Sequence, residues 1–113
     1  MGKPYSHKPI KARRSKRTLA VAIPKSVKVA VAIRDGGRCI VCGGVGIPNA
    51  HIIPRSAGGL GVEDNIVCLC PKCHHEFDNG MNREYYADIV YSYIKSKVPN
   101  WNRENYIYRK WGD

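Results

Sequence analysis

The chain has 113 residues, 43% of them hydrophobic and 25% charged, which is the size and composition of one globular domain. No apolar run approaches the roughly 20 residues needed to span a bilayer, so a transmembrane protein is excluded at this level. The charge is uneven: 19 Lys and Arg against 9 Asp and Glu give +10, and residues 1–38 hold 11 of the basic residues with one acid, Asp35, while residues 39–113 hold eight of each sign. An excess concentrated in the first third points to a polyanionic partner, nucleic acid before any other.

In chain order, residues 1–18 carry Lys3, Lys8, Lys11, Arg13, Arg14, Lys16 and Arg17 with almost nothing apolar to bury, which predicts disorder in the free protein. A membrane-surface peptide would place Trp, Phe or Leu opposite the basic residues, and Lys11 to Arg17 offers none. The apolar stretch Leu19 to Ile23 is too short, and too abruptly closed by Pro24, for a secretory signal. A chain that stays in a reducing compartment is therefore expected, a cytoplasm in bacterial or phage-infected cells. Val27, Val29, Ala30, Val31 and Ile33 are compatible with strand or helix; Ser26 as a cap after Pro24 and the stop Asp35-Gly36-Gly37 favour a helix over Ser26–Arg34.

Five cysteines follow, at 39, 42, 68, 70 and 73. Cys39-Ile-Val-Cys42 and Cys70-Pro-Lys-Cys73 are two C-x-x-C knuckles separated by 27 residues. Each presents two thiolates from one tight turn, and two such turns facing each other satisfy tetrahedral Zn²⁺. Gly43 and Gly44 suit the first turn. Redox dithiols are the competing reading; the reducing compartment and the lack of a thioredoxin-like βαβ pattern count against it. Cys68 lies in the alternating stretch Asn65-Ile-Val-Cys-Leu-Cys and reads as a small buried hydrophobe. Four cysteines leave zinc no open coordination position, so that ion is structural and any chemistry lies elsewhere.

Between and after the knuckles stand Asn49-Ala50-His51-Ile52-Ile53-Pro54-Arg55-Ser56-Ala57-Gly58-Gly59, then Asn65-Ile66-Val67, then Cys73-His74-His75-Glu76-Phe77-Asp78. A C-x-x-C, a His followed by apolar residues and Pro, a Gly-Gly turn, an Asn with apolar residues and a Leu-Cys-x-x-Cys-His, in that order, resemble the HNH endonucleases of the ββα-metal type, over about residues 28–78. The Tyr/Trp-rich C-terminal part and its Pro-Asn-Trp look like phage-encoded members, and the first 25 residues match only as a generic basic arm.

The resemblance implies phosphodiester hydrolysis on double-stranded DNA. That chemistry needs a base for water and a divalent cation on the scissile phosphate. His51 suits the base, because imidazole titrates near neutral pH. By the resemblance, Asn65 orients the His51 ring through its amide or backbone across the hairpin. His74 and Asp78, at i and i+4 of a helix entered after Cys73, share a face and can both reach Mg²⁺, Mn²⁺ or another divalent transition metal. His75 and Asn79 form the alternative pair about 100° round the helix. His74 is preferred because it follows the knuckle cysteine directly, as in the family pattern. Arg55 can contact a phosphate, and Lys11, Arg13, Arg14, Lys16 and Arg17 the DNA backbone. Ala50 departs from the family, where an Asp or His before the base often ligates the metal; Asn49, Asp64, His75 or water are the candidates to replace it.

From Asn82, Tyr85, Tyr86, Ile89, Val90, Tyr93 and Ile94 recur at helical spacing, with Lys95 and Lys97 at the end and Pro99 as the stop. The later aromatics Trp101, Tyr106, Tyr108 and Trp111 suit packing on the zinc core; base stacking and a docking tail for a partner protein are the other readings. The expected architecture is thus α+β: a flexible basic arm (1–25), a ββα-metal core with a four-cysteine zinc (26–80), and a helix with an aromatic tail (81–113). The expected function is a metal-dependent DNA endonuclease of low sequence specificity, nicking or cutting both strands. A non-catalytic zinc-containing DNA-binding module is the rival, and an RNA-binding zinc ribbon a third reading that leaves His51 and Asn65 without a purpose.

Overall fold

Ile66, Val67, Cys68 and Leu69 are apolar without interruption, and the strand they form is buried on both faces. A strand of that kind needs a layer on each side, and the rest of the chain supplies them. The computed structural model describes residues 15–110. Its order is helix α1 (Lys16–Val21), helix α2 (Lys25–Asp35), strand β1 (Ile47–His51), strand β2 (Ile66–Leu69), helix α3 (Pro71–Asn79) and helix α4 (Arg83–Lys97), with 3-10 turns at Arg55–Ala57, Glu63–Asn65 and Arg103–Tyr106. The fold is small α+β, and the antiparallel pair β1–β2 followed by α3 is a ββα unit. No helix among the described residues is long and apolar enough to cross a membrane.

On one face of the hairpin, Ile66 and Cys68 meet Val31 of α2, with Val27 and Ile23 at the margin. On the other, Val67 and Leu69 join Ile52, Ile53, Cys39 and Cys73 with Val90, Ile94 and Trp101. Each fully buried Ile or Leu contributes roughly 1.5–3 kcal/mol. α4 closes this second layer because its apolar positions recur every three or four residues; Tyr86, Val90 and Ile94 lie along one stripe. After Pro99 the chain returns over the core, where Trp101 stacks on Tyr106 at 5.4 Å and Tyr108 N–H donates to Gly58 O.

An ion pair fastens the layers. Asp35, at the end of α2, accepts from Arg34 Nε at 2.7 Å, from Cys68 N–H at 2.9 Å and from the Tyr93 hydroxyl of α4. Arg34 also donates to Ile66 O at 2.7 Å and Glu63 O at 3.0 Å. Burial opposes ionisation of Asp35, but the bonds from Arg34, Tyr93 and Cys68 outweigh it and hold the carboxyl below its ordinary value of 3.8. Gly36 ends α2 at φ 69°, a conformation that costs a side chain about 1–2 kcal/mol.

The helix expected over Ser26–Arg34 runs Lys25–Asp35 with Pro24 at its N-cap, and Ser26 lies inside it rather than capping it. Cys68 is fully buried, and burial pushes its thiol up to about 11. The larger correction concerns the arm. From residue 15 onward the stretch read as flexible is structured: Ser15 caps α1 by accepting from Thr18 N–H at 3.0 Å, and Val21 is buried. Lys11, Arg13, Arg14 and Trp111 lie outside the described residues.

Candidate functional site

Each knuckle is built by the turn its spacing demands. Gly43 takes φ 80°, which only glycine adopts readily, and closes the first turn through its N–H to Cys39 O at 2.9 Å. Cys70 is the N-cap of α3, its Sγ accepting from Cys73 N–H at 3.4 Å, and Cys39 Sγ accepts likewise from Cys42 N–H at 3.5 Å. The hairpin register and the Ile40 N–H to Cys68 O bond of 3.0 Å bring the knuckles together.

The four Sγ atoms of Cys39, Cys42, Cys70 and Cys73 all lie within 4.8 Å of one another. A tetrahedral ion with bonds of about 2.3 Å spaces its sulfurs about 3.8 Å apart, and Cys42 and Cys70 Sγ stand 3.7 Å apart. The donor set therefore fits a tetrahedral soft ion. Burial resists ionisation of Cys39, yet N–H groups of Cys42, Cys70 and Val41 overcome it and lower the thiol to about 7.

The second cluster lies in an open cleft of about 1170 Å³ between the hairpin, α3 and α4. His51, His74 and Asp78 all line it. His51 is the last residue of β1 and 8% exposed. A register irregularity between Ile47 and Ala50 precedes it, and Asn49, two residues earlier on the same face, lines the cleft as well. On α3, His74 Nε2 and Asp78 Oδ2 are 3.1 Å apart. Two cis ligands about 2.1 Å from one octahedral cation stand about 3.0 Å apart, so the pair suits a shared hard or borderline ion. His75 lies outside this cleft, in a smaller depression beside Asn79.

His51 Nε2 is 2.9 Å from Val21 O. A carbonyl only accepts, so Nε2 carries the proton in the neutral ring and Nδ1 is the ring nitrogen with a free lone pair. Burial is the main cause that pushes the His51 pKa below 6.5, and the charge of Arg55 adds to it, against the Val21 bond and Asp78. The ring is consequently neutral at pH 7.

Asn65 differs from its expected part. Its Oδ1 accepts from Ile53 N–H at 2.9 Å and its Nδ2 donates to Leu60 O at 2.9 Å and Ile53 O at 3.2 Å. The amide is spent bracing the loop that leaves β1, and the group on the imidazole is Val21 O. Of the candidates to replace a ligand at position 50, Asp64 is engaged elsewhere, accepting from the Tyr106 hydroxyl at 3.2 Å and, through its carbonyl, from Trp101 Nε1 at 2.8 Å. Ala50 is fully buried in the core. Asn49 is the one of them that shares the cleft.

Arg55 lines the cleft, whereas Arg17 donates to Arg55 O at 3.0 Å and Ser56 O at 3.1 Å. Arg17 is thus a fastener between α1 and this turn. Lys16 is exposed. Lys28, Arg83 and Arg103 also line the cleft and were not singled out from sequence. A linear reading has no signal for them, since they come from α2, α4 and the last 3-10 turn.

Residues 39–81 match the sequence model of a family described as HNH endonuclease. The likeness to that family is confined to this segment. Within the chain, a 41-residue stretch is 42% identical to the type IV methyl-directed restriction enzyme EcoKMcrA of Escherichia coli (strain K12), a match covering 36% of this chain and 15% of that protein. The matched segment contains both cysteine knuckles, His51, Asn65, His74 and Asp78, while α1, α2 and all of α4 lie outside it.

Proposed function

We propose that the protein is a metal-dependent DNA endonuclease that hydrolyses phosphodiester bonds. The observation carrying this reading is the one cleft that His51, held through Nε2 by Val21 O, shares with the His74–Asp78 pair. His51 takes a proton from water at Nδ1, and its depressed pKa keeps it competent at neutral pH. His74 and Asp78 would hold the divalent cation, Mg²⁺, Mn²⁺ or a transition metal, which supplies Lewis-acid stabilisation of the phosphate and the departing oxygen. Asn65 keeps the 53–60 loop, and with it Arg55, at the cleft. Arg55, Lys28, Arg83 and Arg103 offer cations to phosphates, and Lys16 with the N-terminal Lys11, Arg13 and Arg14 extends that contact along the backbone without reading bases. The cysteine cage takes Zn²⁺ and acts as a staple.

Identity with a restriction enzyme supports DNA as the polymer, and this reading places the protein in a cytoplasm. Supercoiled plasmid incubated with Mg²⁺, Mn²⁺ or Ni²⁺ tests it: relaxed or linear product is expected, and equal inactivity of wild type and His51→Ala in every metal overturns it. The buried Ala50 favours one alternative, a non-catalytic zinc-containing DNA-binding module. Tight, salt-sensitive binding without divalent dependence or cleavage would select that.

A further inference from the structure

Helix α1 lies outside the matched HNH segment, yet one of its carbonyls is the hydrogen-bond partner of the imidazole. The last carbonyls of a helix have no partner within it. α1 stops at Val21, with Ala22 extended at ψ 149° and Pro24 barring continuation. Two of its terminal carbonyls are then taken up by the nuclease segment: Gly61 N–H donates to Ala20 O at 3.0 Å, and His51 Nε2 donates to Val21 O at 2.9 Å. Arg17 adds two bonds to the carbonyls of Arg55 and Ser56. The fit is close at Gly61, where a Cβ would stand 1.9 Å from Ala22 O and 3.0 Å from Val21 O.

We propose that α1 is a positioning element for His51: docked by Arg17 and by the close approach at Gly61, it delivers the Val21 carbonyl that fixes the ring as the Nε2–H tautomer with Nδ1 toward the cleft. This rests on the reading of His51 as the base, and its first readout does not. Without Val21 O the ring has neither a fixed tautomer nor a fixed rotation, and misplacement of a reacting group by about 1 Å costs about 100-fold in rate. Because the basic residues Lys11 to Arg17 run directly into α1, the segment that attracts DNA and the one that holds the imidazole are continuous in sequence.

The test uses the full chain with three changes: Gly61→Ala, Arg17→Ala, and an α-hydroxy acid in place of Ala22, which makes the Val21 carbonyl a weaker ester acceptor and removes the Ala22 N–H bond to Thr18 O. Leu19→Ala, on the exposed side of α1, is the control. ¹⁵N NMR of the His51 ring is expected to show Nε2 protonated and Nδ1 unprotonated in wild type and Leu19→Ala, and a tautomer mixture in the other three. Plasmid cleavage is expected to fall about 10- to 100-fold in kcat, with KM for DNA changing less than about threefold in the ester and in Gly61→Ala. Arg17→Lys should recover part of the loss. Should Gly61→Ala fail to fold, the ester and Arg17→Ala decide. An unchanged His51 tautomer and unchanged kcat in folded variants overturn the proposal. Inactive wild type with an altered tautomer in the variants would instead overturn the nuclease reading and leave the positioning claim standing.

Discussion

Among the described residues, two sets of side chains that could hold a metal ion meet about one short helix, and they are built differently. At the N-terminus of α3, four cysteines lie within 4.8 Å of one another, two of them almost fully buried. Directly after Cys73, His74 and, one turn on, Asp78 offer two donors 3.1 Å apart at the edge of an open cleft. The first set would saturate a tetrahedral ion; the second would leave an octahedral one most of its positions. Thus the same nine-residue helix carries part of the cysteine cluster at its start and, on the proposed reading, the cation-holding pair beyond it.

Breaking the staple should have the largest effect. Structural zinc in small domains is worth about 10–16 kcal/mol, so Cys73→Ser is expected to lose both the zinc and the cooperative unfolding transition, measured by elemental analysis and circular dichroism. His74→Ala should do the reverse, leaving zinc content and Tm near wild type while raising the divalent concentration needed for half-maximal cutting. His51→Ala is expected to lower kcat about 10²- to 10⁴-fold with the fold retained. Asp35→Ala touches neither cluster but removes the carboxylate joining α2, β2 and α4, and leaves Arg34 unpaired; a loss of about 3–5 kcal/mol in chemical denaturation is expected. The smallest effect is in pH. Because the folded-state pKa of His51 lies below 6.5, the acid limb of the cleavage profile should have its midpoint below that value. The same shift makes the unfolded chain bind a proton first, so the stability His51 contributes is complete above 6.5 and lost as pH falls through its folded value.

The cysteine cluster was legible in the sequence because a C-x-x-C spacing is a local turn, and the closeness of His74 and Asp78 because i and i+4 share a helix face. The apolar stripe of α4 was legible for the same reason. What escaped were contacts between distant segments made by backbone atoms, which carry no residue signature. Val21 O on His51 is one, separated by 30 residues. Another is Arg17, whose basic neighbours disguise a side chain bonded to two carbonyls. The family pattern makes Asn65 the orienter of His51, but its amide is turned to Ile53 and Leu60, a choice fixed by loop geometry that no spacing encodes. Likewise Asp35 looked like the end of a helix and is the centre of a buried polar network.

The central claim, that a neutral imidazole faces a cation site across one cleft, is tested most directly by anomalous diffraction from crystals grown with zinc and soaked in Mn²⁺. The account predicts a zinc signal among the four sulfurs and a manganese signal bonded to His74 and Asp78, on the side of the cleft facing His51. A zinc signal alone at saturating Mn²⁺, or a second ion bound away from these two side chains, would contradict it.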